Sequence, residues 1–334
     1  MKYSKPLIHF TRFLTFTLLV CIEGALTTNI QAATTHPIDS KPEIREKLFS
    51  SPDEAIKALK TAVESDDQSE LQKIFGPEFR ELLTGDRVQD ANNIHKFADA
   101  MNQGCKQVKE GKNTVVLELG KNEWPMPIPL LKSNGKWHFD TTEGKEEIIN
   151  RHIGKGELYA IGVCHDYVTA QKQYAKEMKK EGNEKEYAQK FKSTPGKRDG
   201  LYWPATKSEP ASPFGPLVAE AHAEGYVSHK DKGPHPFHGY YFKILTQQGS
   251  STPGGKMNYL HEGHLIGGFA LVAYPVIWEK SGIMTFVVNQ DGKVFQKDLG
   301  EETQRIAGEM KEYNPDPSWT RVKDKGIWNA IFEK

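Results

Sequence analysis

The pattern of apolar and polar positions predicts two regions that each combine helices with strands. In the first region, apolar residues three and four positions apart predict a helix opened by Ser51, a second opened by Ser69 and ended by Gly85, and a third around 92–102. Strand patterns follow at 114–119, 128–132 and 136–140, and Asn134-Gly135 between the last two is a strong hairpin signal. We therefore expect an α+β domain over residues 50–153, with helices covering a small, bent antiparallel sheet in a cone-like arrangement.

The second region contains the most regular helical pattern of the chain. Leu158, Ile161 and Val168 belong to one apolar stripe that predicts a long helix over 157–180, and Gly154 and Gly156 are expected to separate it from a short helix at 143–152. A shorter helix is expected around 187–191, and others at 216–224 and 303–310. Strand patterns lie at 239–245, 268–275, 283–289 and 293–297. Short connections favour an antiparallel meander on which the long helix packs, which predicts a second α+β domain over 154–322 and a tail over 323–334.

The first residues have the layout of a secretory signal peptide. Basic residues precede the apolar run 13–21, and the small residues Ala32 and Ala33 lie before a polar stretch. The run is too short to span a bilayer, and no later stretch is apolar enough to do so. We therefore expect a signal peptide over 1–33, cleaved near Ala32 or Ala33, a flexible leader over 34–49, and a periplasmic or secreted protein without a permanent membrane span.

Composition excludes several classes of protein. The 334 residues carry 44 basic and 44 acidic side chains, so the net charge is zero, and a nucleic-acid binder would need a positive field. Three cysteines are too few for a disulfide scaffold. Export permits a bridge between Cys105 and Cys164; the alternative is that Cys164 is a core residue of the long helix and Cys105 a loop thiol out of its reach.

Several short strings together resemble one family. They are Thr84-Gly85-Asp86 and the segments 124–129, 146–154, 170–175, 199–203, 238–241, 253–255, 267–270 and 284–289. In these strings the chain resembles the bacterial domain-of-unknown-function 2950 family, over about residues 48–322. The resemblance indicates a family and implies no activity for any residue.

The C-terminal half is also similar to the globular heads of type IV pilins and of the pseudopilins of type II secretion. The similarity rests on the order of a long helix containing Ala170-Gln171 and Tyr174-Ala175, a Gly-Tyr-Tyr-Phe strand at 239–242, and strands at 273–275 and 282–286. It implies a helix packed on an antiparallel meander. Pilins differ in that a long hydrophobic helix leads directly into the head, so we expect a soluble, pilin-like module.

Histidines near the end of the chain suggest a metal site. His235, His238, His261 and His264 come from two predicted loops, and four imidazoles can hold a metal ion. His261 and His264 are three residues apart, whereas the helical metalloprotease motif needs a separation of four. The alternative interpretation is that these are exposed loop histidines.

Aromatic and acidic residues suggest a second kind of site. Asp199, Tyr202 and Trp203 lie in a predicted ordered loop and suit a rim that binds sugars or peptides, or else they pack at a domain junction. Tyr240 and Tyr241 lie on a strand whose second face is expected either to contact a partner or to be covered by the N-terminal domain. The chain has no Gly-x-Ser-x-Gly elbow, no phosphate loop and no dinucleotide fingerprint.

Three classes of function remain open. The sequence favours an exported cell-envelope protein that acts as a non-catalytic binding or assembly module, with a protein or polymer of the envelope as its partner and no cofactor. One alternative is a metal-dependent hydrolase that uses the late histidines. The other is an accessory subunit of a pilus or of a secretion apparatus.

Overall fold

The computed structural model describes residues 46–178, 185–205, 211–226 and 235–323. The predicted signal peptide, the leader up to residue 45 and the tail beyond residue 323 lie outside these residues. Within them, no helix combines the length and the apolar character needed to cross a membrane. The chain is an α+β protein, as the sequence predicts.

The described residues form six α-helices and fifteen short strands. The helices are α1 (Pro52–Glu64), α2 (Gln68–Phe75), α3 (Arg87–Gln103), α4 (Thr141–Glu177), α5 (Gly215–Ala223) and α6 (Thr303–Glu309). The strands are β1 (Cys105–Lys109), β2 (Thr114–Leu119), β3 (Trp124–Pro125), β4 (Leu130–Ser133), β5 (Lys136–Phe139), β6 (Tyr240–Leu245), β7 (Gln247–Gln248), β8 (Met257–Asn258), β9 (Leu260–His261), β10 (His264–Leu265), β11 (Ala270–Pro275), β12 (Met284–Asn289), β13 (Phe295–Asp298), β14 (Glu312–Tyr313) and β15 (Thr320–Arg321).

The N-terminal half packs α1, α2 and α3 against an antiparallel sheet in the order β1-β2-β4-β5, with β3 paired to β2. Ser51 opens α1 as predicted, because its hydroxyl accepts a hydrogen bond from the Glu54 backbone N–H at 3.2 Å. Asn134 and Gly135 both adopt positive φ between β4 and β5, which is the backbone of the predicted tight hairpin.

The second predicted helix is shorter than its apolar pattern indicates. Gly76 adopts a φ of +73° and Pro77 follows it, so α2 ends at Phe75 and the chain continues as a 3-10 helix over Pro77–Leu82. The apolar residues of both segments nevertheless reach one core, in which Leu59, Ile74 and Phe139 are fully buried. Burial of each such side chain stabilises the fold by about 1.5–3 kcal/mol.

The predicted interruption of the long helix is wrong, because α4 runs without a break for 37 residues. Two of its glycines permit close approach of other backbone segments. A Cβ at Gly144 would lie 2.4 Å from the Pro127 carbonyl oxygen, and a Cβ at Gly156 would lie 2.6 Å from the Ser281 carbonyl oxygen. Glycine destabilises a helix by about 1 kcal/mol relative to alanine. At Gly144 and Gly156, the absence of a side chain makes room for the neighbouring backbone. The predicted boundary at 153–154 falls within α4, and the division into two domains stays a prediction.

The C-terminal half is a five-stranded antiparallel sheet in the order β15-β13-β12-β11-β6, which confirms the predicted arrangement of its strands. The second part of α4 packs on one face, where the Tyr167 hydroxyl donates to the Ala270 carbonyl at 3.2 Å. On the other face, α6 contacts β11, and the Lys243 ammonium donates to the Gly308 carbonyl at 2.5 Å. Helices therefore cover parts of both faces of this sheet.

Two local predictions are corrected by backbone contacts. The segment at 187–191 is not helical, because Tyr187 pairs with Leu265 and the Gln171 amide binds both the N–H and the carbonyl of Ala188 at 2.8 Å. Cys105 lies in β1 and not in a loop. Cys105 packs against the N-terminal core, Cys164 is buried in the C-terminal core, and both are free thiols.

Candidate functional site: an apolar pocket with a basic rim

A pocket of about 370 Å³ opens in the N-terminal half, and we call it the N-terminal pocket. Its lining comes from α1, α2, the following 3-10 helix, α3, the segment at 124–128 and the first part of α4. The side chains are mostly aliphatic and aromatic, and they include Leu71, Phe75, Phe79, Ile94, Met126 and Ile128. A pocket of this size and lining is typical of sites for small molecules.

Six polar residues form the rim of the N-terminal pocket, and four of them have polar partners: Asp90, Arg151, and Asn93 with His152, whose side-chain nitrogens lie 3.4 Å apart. The rim consists of Asp90, Asn93, Lys96, Arg151, His152 and Lys155. The Asp90 carboxylate accepts hydrogen bonds from the Thr84 backbone N–H and hydroxyl, both at 2.8 Å, although burial raises its pKa. The Arg151 guanidinium donates to Glu147 at 2.7 Å and lies over the Trp124 ring.

Two cations of the rim, Lys96 and Lys155, differ from Arg151 in their electrostatic surroundings. Within the described residues, neither Lys96 nor Lys155 forms an ion pair with a carboxylate. The surroundings desolvate the Lys155 ammonium and lower its pKa, and the positive charge of Lys96 lowers it further. Burial lowers the pKa of His152 to about 4, with a further contribution from Lys155, so its imidazole is neutral at pH 7.

A buried polar cluster lies beside this rim and joins the two halves of the chain. Asp86 is its centre: one carboxylate oxygen accepts from the Val88 and Gln89 N–H groups and caps α3. The other oxygen accepts from the Tyr226 hydroxyl at 2.9 Å and from the Gly239 N–H at 3.1 Å. Asp86 is only 1% exposed, so these four donors replace its water.

His238 occupies the other side of the polar cluster. Its ring stacks on Tyr159 with centroids 3.7 Å apart, and its Nε2 lies 2.8 Å from a carboxylate oxygen of Glu224. Burial, with the charges of Lys155 and Lys96, lowers the pKa of His238 to about 3, and burial raises the pKa of Glu224. Both shifts disfavour the charged forms, and among the described residues these two atoms lie close together without forming a hydrogen bond.

The structure does not bring the four predicted metal ligands together. His261 and His264 face each other across the β9–β10 hairpin, where His264 pairs with Glu186 at 2.9 Å. His238 belongs to the polar cluster, and His235 lines a different pocket. Across the four described ranges, no three His, Cys, Asp or Glu side chains are grouped so that they could hold a metal ion.

The residues predicted to form a binding rim have separate environments. Asp199 accepts from the Lys190 ammonium and the Thr194 N–H, both at 2.7 Å, and the Lys190 bond in particular holds its pKa well below the usual range. Trp203 is 4% exposed, with the Arg198 guanidinium over its ring. These contacts hold the loop in place.

The predicted contact residues on β6 are also engaged within the fold. Tyr240 is fully buried, and its hydroxyl donates to the Met284 carbonyl at 3.0 Å. Tyr241 packs against the Tyr274 ring on the opposite face.

A second pocket, of about 580 Å³, lies in the C-terminal half and is rich in aromatic side chains. Tyr202 lines it, and it is the one residue of the predicted binding rim that does so. Tyr226 of the polar cluster lines it as well. Several of its lining residues lie next to 206–210 and 227–234, which are outside the described residues.

Sequence reasoning did not identify the N-terminal pocket or the polar cluster as a site. Lys96, Lys155 and Glu224 belong to no motif and are ordinary charged residues of helical segments. One signal was present, since Thr84-Gly85-Asp86 and His238-Gly239 are among the strings that carry the family resemblance, and they meet in this cluster.

The fold and the site together define an α+β protein whose N-terminal half contains an apolar pocket with a basic rim. Over residues 46–322 the sequence matches the model of the family described as "Protein of unknown function (DUF2950)", and the chain belongs to that family. No curated protein matches the chain, and neither does any solved structure. The similarity of the C-terminal half to pilin heads therefore stays a prediction.

Proposed function

We propose that this protein is an exported, non-catalytic binding module of the cell envelope, and that it holds a small, largely apolar molecule of the envelope in the N-terminal pocket. The observation that carries the proposal is the pocket itself, about 370 Å³ of space lined by side chains such as Phe75, Phe79 and Ile128. Transfer of apolar ligand surface from water to such a lining is favourable by about 25 cal/mol per Å².

The polar cluster supports binding over catalysis. The His238 side chain is 8% exposed, and the imidazole faces Glu224 and Tyr159. Its lowered pKa keeps it neutral at pH 7. A general base needs to reach its substrate, whereas this imidazole is enclosed by partners of the same chain and serves to join α4 to the C-terminal half.

The binding proposal is tested with N-phenyl-1-naphthylamine, a neutral probe whose fluorescence rises in apolar surroundings. We expect saturable binding to the wild-type protein. Ile94→Trp fills the N-terminal pocket and should abolish the signal, while Val218→Trp, which fills the C-terminal pocket, should leave it unchanged. No binding, or binding lost only in Val218→Trp, would contradict the proposal.

Export is supported by the basic start, the apolar run at 13–21 and the small residues Ala32 and Ala33. N-terminal sequencing of protein from the periplasmic fraction should give a chain that begins at residue 33 or 34. An intact Met1 on the protein, or its recovery in the cytoplasmic fraction alone, would contradict export and would leave the binding proposal standing.

A further inference from the structure

Among the residues that the structure describes, two lysines on the rim of the N-terminal pocket form no ion pair. Lys96 lies on α3 and Lys155 lies on α4, and both line the same pocket. They are close enough that the charge of Lys96 lowers the pKa of Lys155. Lys96 is exposed, whereas the Lys155 ammonium is partly desolvated. Two like charges at the mouth of an apolar pocket repel each other, which is unfavourable unless an anion lies between them.

The acidic groups at or near the rim do not supply that anion. Asp90 is directed to Thr84, with which it forms two hydrogen bonds. Glu147 pairs with Arg151. Glu224 lies near enough to Lys96 and Lys155 for both charges to act on its pKa, but within the described part of the chain it forms an ion pair with neither. Its carboxylate lies 2.8 Å from His238, and burial raises its pKa.

The rest of the pocket is apolar, so the pocket has two chemical parts. The lining residues of α1, of α2, of the following 3-10 helix and of the segment 124–128 carry no charge, and the cations lie on α3 and α4. A ligand complementary to both parts has an apolar body and a single anionic head. The volume of about 370 Å³ equals roughly a dozen water molecules at ~30 Å³ each, which limits the body to a medium-length chain or a small ring system.

We propose that the N-terminal pocket binds a small amphiphile with one anionic head group, carboxylate or phosphate, and that Lys96 and Lys155 hold this head while the apolar body enters the pocket. This inference rests on the proposed binding function and names its ligand class. His152, which is neutral at pH 7 and adjoins Asn93, lies at the same rim and offers a hydrogen bond without changing its charge.

The test is displacement of N-phenyl-1-naphthylamine from the wild-type protein by three ten-carbon compounds: decanoate, decyl phosphate and 1-decanol. We expect each anion to displace the probe at a concentration about tenfold or more below that of the alcohol, because charge-assisted hydrogen bonds are about twice as strong as neutral ones. The advantage of the anions should shrink as salt is raised. The stronger of the two anions identifies the type of head group.

Two methionine variants locate the head group. Lys96→Met and Lys155→Met keep the aliphatic stem and remove the charge, and each should weaken the displacing anion about tenfold while changing 1-decanol and the probe less than twofold. Lys172→Met is the matched control, because Lys172 is an exposed lysine of α4 outside the pocket, and it should change nothing.

The outcomes separate the ligand class from the binding function. If the probe binds in the pocket but 1-decanol displaces it as well as the anions do, or if Lys172→Met acts like Lys155→Met, the anionic head group is wrong and the pocket remains a binding site. If the probe does not bind the wild-type protein, the proposed function itself fails.

Discussion

The Tyr226 hydroxyl donates a hydrogen bond of 2.9 Å to the Asp86 carboxylate, which joins residues 140 positions apart in the chain. The same tyrosine oxygen accepts a hydrogen bond from the backbone N–H of His238 at 3.1 Å. Asp86 is also the N-cap of α3. One carboxylate therefore fixes both the start of the helix that carries Lys96 and the segment that carries His238.

Removal of the Tyr226 hydroxyl tests this relationship. Tyr226→Phe leaves Asp86 and the His238 N–H each without one partner, and a buried polar group that loses its partner costs about 1–3 kcal/mol. We expect the free energy of unfolding in urea to fall by that amount.

Tyr241→Phe is the control for the phenol substitution. Tyr241 is half-buried, and within the described residues its hydroxyl forms no hydrogen bond, so we expect a change below about 0.5 kcal/mol. Equal effects of the two substitutions would show that the Asp86 bond contributes nothing specific.

The predictable parts of the fold are those in which local chemistry and tertiary structure agree. Ser51 caps α1 through its own hydroxyl, and Asn134 and Gly135 form the turn through their own φ angles. The apolar residues of β11 and β12 are buried in the sheet that these strands form. Gly156 shows the limit of this reasoning. Its local preference is to end a helix, and only the approach of Ser281, 125 positions away in sequence, shows why α4 continues through it.

The candidate site was not predictable for the same reason. The sequence suggests a metal ligand at His238 because imidazoles bind metal ions, whereas its partners Tyr159 and Glu224 come from helical segments distant in sequence. The unpaired state of Lys96 and Lys155 is likewise a property of the folded surroundings. The sequence alone does not distinguish a lysine that forms an ion pair from one that does not.

Two glycines of α4 provide a matched pair of alanine substitutions. Gly156→Ala places a Cβ 2.6 Å from the Ser281 carbonyl oxygen. Because a backbone atom moves only with its segment, we expect the free energy of unfolding to fall by about 1–3 kcal/mol. Gly154→Ala meets nothing within 4 Å and should stabilise the protein by up to about 1 kcal/mol through helix propensity. The free energy of unfolding of both variants is measured in urea. An increase for Gly156→Ala would contradict the close approach of the Ser281 carbonyl to Gly156.

The packing of α4 on the C-terminal sheet is tested by a charge at its buried face. Val168 is 6% exposed within the core, and Val168→Asp should lower the free energy of unfolding by about 3–5 kcal/mol, because an unpaired charge would be buried. Thr169→Asp changes the adjacent, exposed position of the same helix and should cost less than about 0.5 kcal/mol. If Val168→Asp were as stable as the wild type, the helix would not pack on the sheet by this face.

The low pKa of His238 predicts a loss of stability in acid. Its pKa is about 6.5 in the unfolded chain and about 3 in the folded protein, where burial is the main cause and the charges of Lys155 and Lys96 add to it. As the pH falls below 6.5, the unfolded chain binds a proton that the folded protein refuses, so the stabilising contribution is present above pH 6.5 and is lost toward pH 3.

The variant that isolates this contribution is His238→Asn, because asparagine tolerates the φ of +49° at this position and does not titrate. Between pH 7 and pH 5, the wild-type protein should lose about 1–2 kcal/mol more unfolding free energy than the variant. The difference between the two proteins cancels other groups, such as Glu46, whose pKa is raised to about 7 by burial and acts in the opposite direction. Parallel pH profiles of the two proteins would mean that the His238 imidazole takes up its proton as readily in the folded protein as in the unfolded chain, and the low pKa of the buried imidazole would then be wrong.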